Sequence, residues 1–156
     1  MHMIAIMGVM KKIKYYIPAM IMLCVIFGFS AQNGNDSGHL SDSIYYFLQA
    51  HVPLPFAKDT MTFVIRKCAH MTEFGLLGLS FLYGFSHSFS QHLYKVSLAL
   101  VFVCGCLDEF HQRFSAGRSP SLRDALIDTT GALIFLSITY FITHRQKREN
   151  RVLEKV

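Results

Sequence analysis

Four apolar runs, separated by polar and turn-forming residues, set the pattern of this chain. The first, Tyr15 to Phe29 (YYIPAMIMLCVIFGF), reaches the length of a bilayer span when Ile13 and Ser30 to Gln32 are added. The second crosses as CAHMTEFGLLGLSFLYGF, within a helix that starts near Asp59 and ends in SHSFSQH. The third runs from Leu93 to Leu107, and the fourth follows SPSLRD as ALIDTTGALIFLSITYFIT. Ser121 and Asp124 there fit a capping box, in which a hydroxyl and an acid at the start of a helix satisfy free backbone N–H groups reciprocally. Between the first two runs, AQNGNDSGHLSD reads as a turn-rich loop. SDSIYYFLQAHVP then reads as a short amphipathic helix, stopped by Pro53 and Pro55 and lying along the membrane surface.

This pattern predicts an all-α, polytopic integral membrane protein. It is a four-transmembrane-helix bundle, with spans at about 14–32, 68–87, 93–110 and 123–142 and a short amphipathic helix in the first extracytoplasmic loop. Residues 1–13 form a cytoplasmic N-terminus, 14–143 the transmembrane domain, and 144–156 a basic, solvated and partly disordered tail. No internal repeat is visible. A secretory signal peptide competes for the first run, with Gly28 and Ser30 as small residues near a cleavage point, but three further apolar runs favour a multispanning chain.

Composition supports the pattern: of 156 residues, 52% are hydrophobic and only 16% charged. The net charge of +5 gathers at the ends, in Lys11, Lys12 and Lys14 and in Arg145, Lys147, Arg148, Arg151 and Lys155. Basic flanks of this kind stay in the cytoplasm and orient the helices, so they do not make a nucleic-acid surface. Cys24, Cys68, Cys104 and Cys106 lack the spacing of a zinc site and read as small core residues. Met1, Met3, Met7 and Met10 are all possible initiators, and MKKIKYYIP looks like a natural start.

With both ends in the plasma-membrane cytoplasmic face, the loops 31–66 and 108–123 lie outside and SHSFSQHLYK lies inside. Every unusual polar residue then falls on the outer side. Lys67, His70 and Glu73 begin the second span, Asp108, Glu109, His111 and Gln112 end the third, and Asp124 and Asp128 begin the fourth. His70 and Glu73 share a helix face at a spacing of three, and Asp124 and Asp128 do so at four. Ionisable groups one or two turns into a membrane are costly unless paired or hydrated, which makes this set a candidate working site.

The residues RKCAHMTEF and DEFHQRFSAGRSPSLRDALIDTTG carry a resemblance. The chain is similar to the VanZ-like family of small bacterial membrane proteins, named for a teicoplanin-resistance protein. Lys67 and His70 match the family's K-x-x-H. Asp108, Glu109, Gln112, Phe114, Arg118 and Asp124 match its D-E-x-x-Q-x-F-x-x-x-R-x-x-x-x-x-D pattern. In one departure, Asp128 stands where asparagine is expected. The resemblance implies a bacterial cell-envelope protein that lowers sensitivity to a lipid-bearing glycopeptide.

Four chemistries compete for the polar set. One is a structural network of ion pairs that pins the helices, supplementing small-residue packing through Gly75, Gly78 and Gly131. The favoured one is recognition of a lipid head group, a lipid-linked wall intermediate or a lipidated glycopeptide by Lys67, His70, Glu73, Asp108, Glu109, Gln112, Arg118, Asp124 and Asp128. Arg113 and Arg123 stand nearby, among serines that precede a helix N-terminus. A third is hydrolysis or transfer at a lipid phosphate or ester, with His70, Asp108, His111 and Asp124 as catalytic candidates. Here Arg118-x5-Asp124-x3-Asp128 loosely resembles the R-x5-H-x3-D motif of membrane phosphatidate-type phosphatases. The fourth is a metal held by His70, Glu73, Asp108 and His111, against which no familiar zinc signature stands. No cofactor is expected, membrane lipids are the expected partners, and the remaining histidines, among them His39, His87 and His144, read as solvent-facing.

Overall fold

A computed structural model describes residues 12–32, 34–52, 56–89, 91–115 and 117–153. The expectations placed on Met1 to Lys11, Pro53, Pro55 and Lys155 lie outside these residues. Among the described residues the chain is all helical, without strands. A 3-10 turn, Lys14–Tyr16, leads into α1 (Ile17–Ser30), followed by α2 (Gly34–Gln49), α3 (Lys58–Ser86), α4 (Leu93–Gln112) and α5 (Leu122–Leu153). Pro18 falls in the first turn of α1, where its missing N–H has no intrahelical partner to lose.

Two stretches differ from the sequence expectation. The supposed loop AQNGNDSGHLSD is helical from Gly34 onward. Its turn-forming side chains are overruled by packing: Ser41 and Tyr45 are buried, and Asp42 forms an ion pair with Lys58 at 2.7 Å. The tail is not disordered over its described part. It continues α5 to Leu153 as an exposed helix, with Arg145 and Glu149 paired one turn apart at 3.1 Å.

Contacts between helix ends fix the directions of the bundle. Tyr16 at the start of α1 meets Phe85 at the end of α3, so these two run antiparallel. Tyr94 near the start of α4 reaches Thr143 late in α5 at 3.2 Å, and they too are antiparallel. Ser30 at the end of α1 meets Asp108 near the end of α4, which makes α1 and α4 parallel. The chain therefore passes back and forth, and the ends of α1 and α4 come together with the beginnings of α3 and α5.

Small residues allow that convergence. A Cβ on Gly131 would collide with the backbone of Met71, and one on Gly78 would sit 3.2 Å from the Ala132 methyl. Helices α3 and α5 thus touch backbone to backbone, in the manner of small-residue packing between membrane helices. Ile26, Phe74, Leu77, Val101 and Ala132 fill the core around this seam. Of the cysteines expected in the core only Cys104 is buried; Cys24 and Cys68 face outward and Cys106 is half-buried. A helix that is apolar on most of its circumference gives position alone no power to say which residues face inward.

Among the described residues, one helical segment, Leu122–Arg151, is both long and apolar enough to cross a membrane, and Lys14–Ser30 is apolar but shorter. Helix α4, at about 30 Å, has the length of a bilayer core but carries Lys95, Asp108 and Glu109. Helix α3 is longer still and carries His70 and Glu73.

Candidate functional site

Where the helix ends converge, they enclose a polar cavity of about 220 Å³. Helix α3 contributes Arg66, Lys67 and His70, α4 contributes Glu109 and Gln112, and α5 contributes Asp124 and Asp128. The connecting loop closes the ring with Gly117, Arg118 and Ser119. Gly117 adopts φ 74°, a left-handed conformation that a side chain would strain, and this turn directs Arg118 toward the helices.

The beginning of α5 is held by its neighbours rather than by itself. Lys67 pairs with Asp124 at 2.8 Å, both side chains half-buried. The Ser121 N–H, which a capping box would give to the Asp124 carboxylate, is donated instead to Glu109 Oε2 at 2.7 Å. Ser121 Oγ accepts from the Arg123 N–H at 3.2 Å. The expected box is therefore split between helices, because Lys67 draws Asp124 away and Glu109 of α4 caps α5 in its place.

Asp108 lies beneath the cavity and is fully buried. Its Oδ2 accepts hydrogen bonds from Ser30 Oγ and from Gln112 Nε2, each at 2.8 Å. Gln112 also approaches Ser30 Oγ at 3.3 Å, and Ser115 Oγ donates to the Ser30 carbonyl at 3.3 Å. Ser30 thereby ties α1 into the site, a role that sequence reasoning missed. Arg66 was missed as well, although it opens the RKCAHMTEF stretch, since it precedes the first fixed position of the pattern.

The structure brings together Lys67, His70, Glu109, Gln112, Arg118, Asp124 and Asp128 around one cavity. It places Glu73 in an adjoining cleft, together with Arg66, His70 and Arg118. Of the four catalytic candidates, His70 and Asp124 line the cavity, Asp108 lies below it, and His111 packs edge-on against Phe27 of α1 at 5.7 Å. His70, Glu73, Asp108 and His111 are not gathered at one point, and no group of three or more His, Cys, Asp or Glu side chains among the described residues is placed to hold a metal ion. Arg113 and Arg123 are exposed and do not line the cavity.

The charges within the cavity are unevenly satisfied. Lys67 has Asp124, but among the described residues Arg66 and Arg118 have no acid within ion-pair distance. Burial and the neighbouring Arg66 guanidinium push the Arg118 pKa down from its ordinary value, opposed by Asp108 and Glu109. Asp128, almost fully buried, keeps one carboxylate oxygen without a protein hydrogen-bond partner, as do Nε of Arg118 and Nδ1 of His70. Arg66 and Arg118 line the cavity together with Asp124 and Asp128, so its wall carries guanidiniums and carboxylates at the same time.

These features define a helical bundle with a mixed-charge cavity at one end, assembled from several helix ends and one loop. The VanZ/LLP1 family profile matches residues 15–143, most of the chain and every element of the cavity, and the chain belongs to that family. No curated protein and no solved structure matches it.

Proposed function

We propose that this is a multi-pass protein of the bacterial plasma membrane, with both termini cytoplasmic, four spans formed by α1, α3, α4 and α5, and α2 at the outer surface. Its cavity binds a lipid head group, a lipid-linked wall intermediate or a lipidated glycopeptide, and through it the protein confers or modulates teicoplanin-type resistance. The observation that carries the binding role is the pair Arg66 and Arg118, guanidiniums without acid partners among the described residues, set in a cavity beside the start of α5. Forked guanidiniums near a helix N-terminus suit phosphate or carboxylate. Membrane immersion is supported by the apolar side chains that the bundle leaves exposed on its flanks, such as Met20 and Ile21 of α1, Val103 and Leu107 of α4, and Ile138 and Phe141 of α5.

A second reading, hydrolysis or transfer at a lipid phosphate, draws support from His70 lining the same cavity as Arg118, Asp124 and Asp128. In that case His70 is the general base and Arg118 stabilises developing charge. Both readings are tested in a sensitive Gram-positive host expressing wild type, Arg118→Ala, His70→Ala or Asp124→Asn, with membrane levels matched by immunoblot. Selective protection against teicoplanin over vancomycin, lost most fully with Arg118→Ala, is the expected result for a binder. Loss with His70→Ala while ligand binding persists favours the enzyme, and unchanged susceptibility in every strain removes the resistance role.

A further inference from the structure

The polar cavity has an apolar neighbour, and the two share a wall. The neighbouring cleft opens where α2 lies across α3, and Arg66, His70 and Arg118 border both spaces. Beyond that wall the lining is mainly apolar, with Phe29 at the end of α1, Leu40 and Ile44 of α2 and Ile65 of α3, and Gln32, Ser41 and Glu73 as its further polar groups. Leu40 and Ile44 stand one helical turn apart, so they present one face to the cleft. They do so while remaining 54% and 40% exposed, and Phe29 is 44% exposed. The α2 helix is nonetheless anchored: its Tyr45 is buried, and Lys58 holds Asp42 at 2.7 Å while lying over the Tyr46 ring. An anchored helix that keeps apolar side chains uncovered beside two guanidiniums is shaped for a ligand that is charged at one end and apolar at the other.

We infer that the ligand is a membrane amphiphile whose phosphate lies against Arg66 and Arg118 and whose acyl chain runs beneath α2, against Leu40, Ile44 and Ile65. This rests on the head-group reading above and adds to it a chain subsite, with α2 as its outer wall. A soluble anion satisfies the guanidiniums but leaves the cleft uncovered. An amphiphile satisfies both, because its chain, already in the bilayer, can pass into the cleft and cover apolar side chains of the protein that otherwise face water. The α2 helix is thereby a binding element that reads the chain.

The test uses the full-length protein in detergent and a phosphatidylglycerol with a diazirine in one acyl chain, with the labelled peptides mapped by mass spectrometry. The label sensitive to Arg118→Ala is expected on segments 40–44 or 65–69. Ile44→Trp, which fills the cleft, lowers that label by roughly tenfold or more, and chain-free glycerophosphoglycerol competes at least roughly tenfold more weakly than the intact lipid. Far-UV circular dichroism and elution volume check the variants, and the wild-type peptide map stands without them. Arg118-dependent label found only on other segments, or equal competition by the chain-free compound, overturns the chain subsite and leaves the head-group reading intact. Labelling indifferent to Arg118→Ala overturns the head-group reading and the chain subsite with it.

Discussion

Ser30 shows how much one hydroxyl contributes to this site. It is completely buried, and with Gln112 it donates to the same oxygen of Asp108. Ser30→Ala therefore leaves a buried carboxylate short of a donor, at a cost of about 1–3 kcal/mol. A lowered thermal midpoint in detergent is expected, whereas Ser80→Ala, which removes a hydroxyl bonded only within its own helix to the Leu76 carbonyl, should leave the midpoint nearly unchanged. Equal midpoints for the two variants would mean that the Asp108 network does not hold α1 in place. The sequence made Lys67, His70, Glu109 and Asp124 legible, because ionisable groups stand out at the ends of apolar runs. Ser30 was not legible in the same way. A serine closing an apolar run reads alike whether it faces lipid, water or a buried acid, and only the rotation of α1 against α4 decides.

At the level of elements, α3 begins beside Asp59, α4 at Leu93 and α5 within SPSLRD, where the sequence places them. The beginning of α2 and the end of α5 differ from the sequence expectation, because packing extends one and a run of helix-forming charged residues extends the other. The start of α5 carries a sharper lesson. Its local signal, Ser121 with Asp124, correctly marked a helix N-terminus but named the wrong acid. Since Glu109 accepts the Ser121 N–H, Glu109→Ala is expected to loosen the first turn of α5 by about 1 kcal/mol. Hydrogen exchange should quicken at residues 121–124 in Glu109→Ala and much less in Asp124→Asn, which disturbs the Lys67 pair but leaves the cap in place. The opposite ranking would restore the self-contained capping box.

For the whole molecule, the question is which way the cavity faces. The two ends of the bundle differ in how their cations are held. At one end Lys12, Lys14 and Lys95 join Arg145, Lys147, Arg148 and Arg151, and of these Arg145 pairs with a neighbouring glutamate on the exposed surface. At the other, Lys67 is held by Asp124 and Lys58 by Asp42, Arg66 and Arg118 line the cavity, and Arg113 and Arg123 are the exposed cations. Exposed basic flanks are retained on the cytoplasmic side, and the first end carries the larger number of them, so the cavity is expected to face outward. Among the described residues one segment is long and apolar enough to cross a membrane, and the polar residues that build the cavity lie partly within α3 and α4, where they lower the apolar character of those helices. Alkaline phosphatase, active only after export, gives the decisive readout when fused after His51, after Gln91 or after Leu153. Activity is expected for the first fusion alone, with a cytoplasmic fluorescent reporter giving the complementary pattern. Activity after Gln91 and Leu153 but not after His51 would turn the cavity toward the cytoplasm. An extracellular glycopeptide could then no longer be its ligand, and a lipid head group of the inner leaflet would take its place.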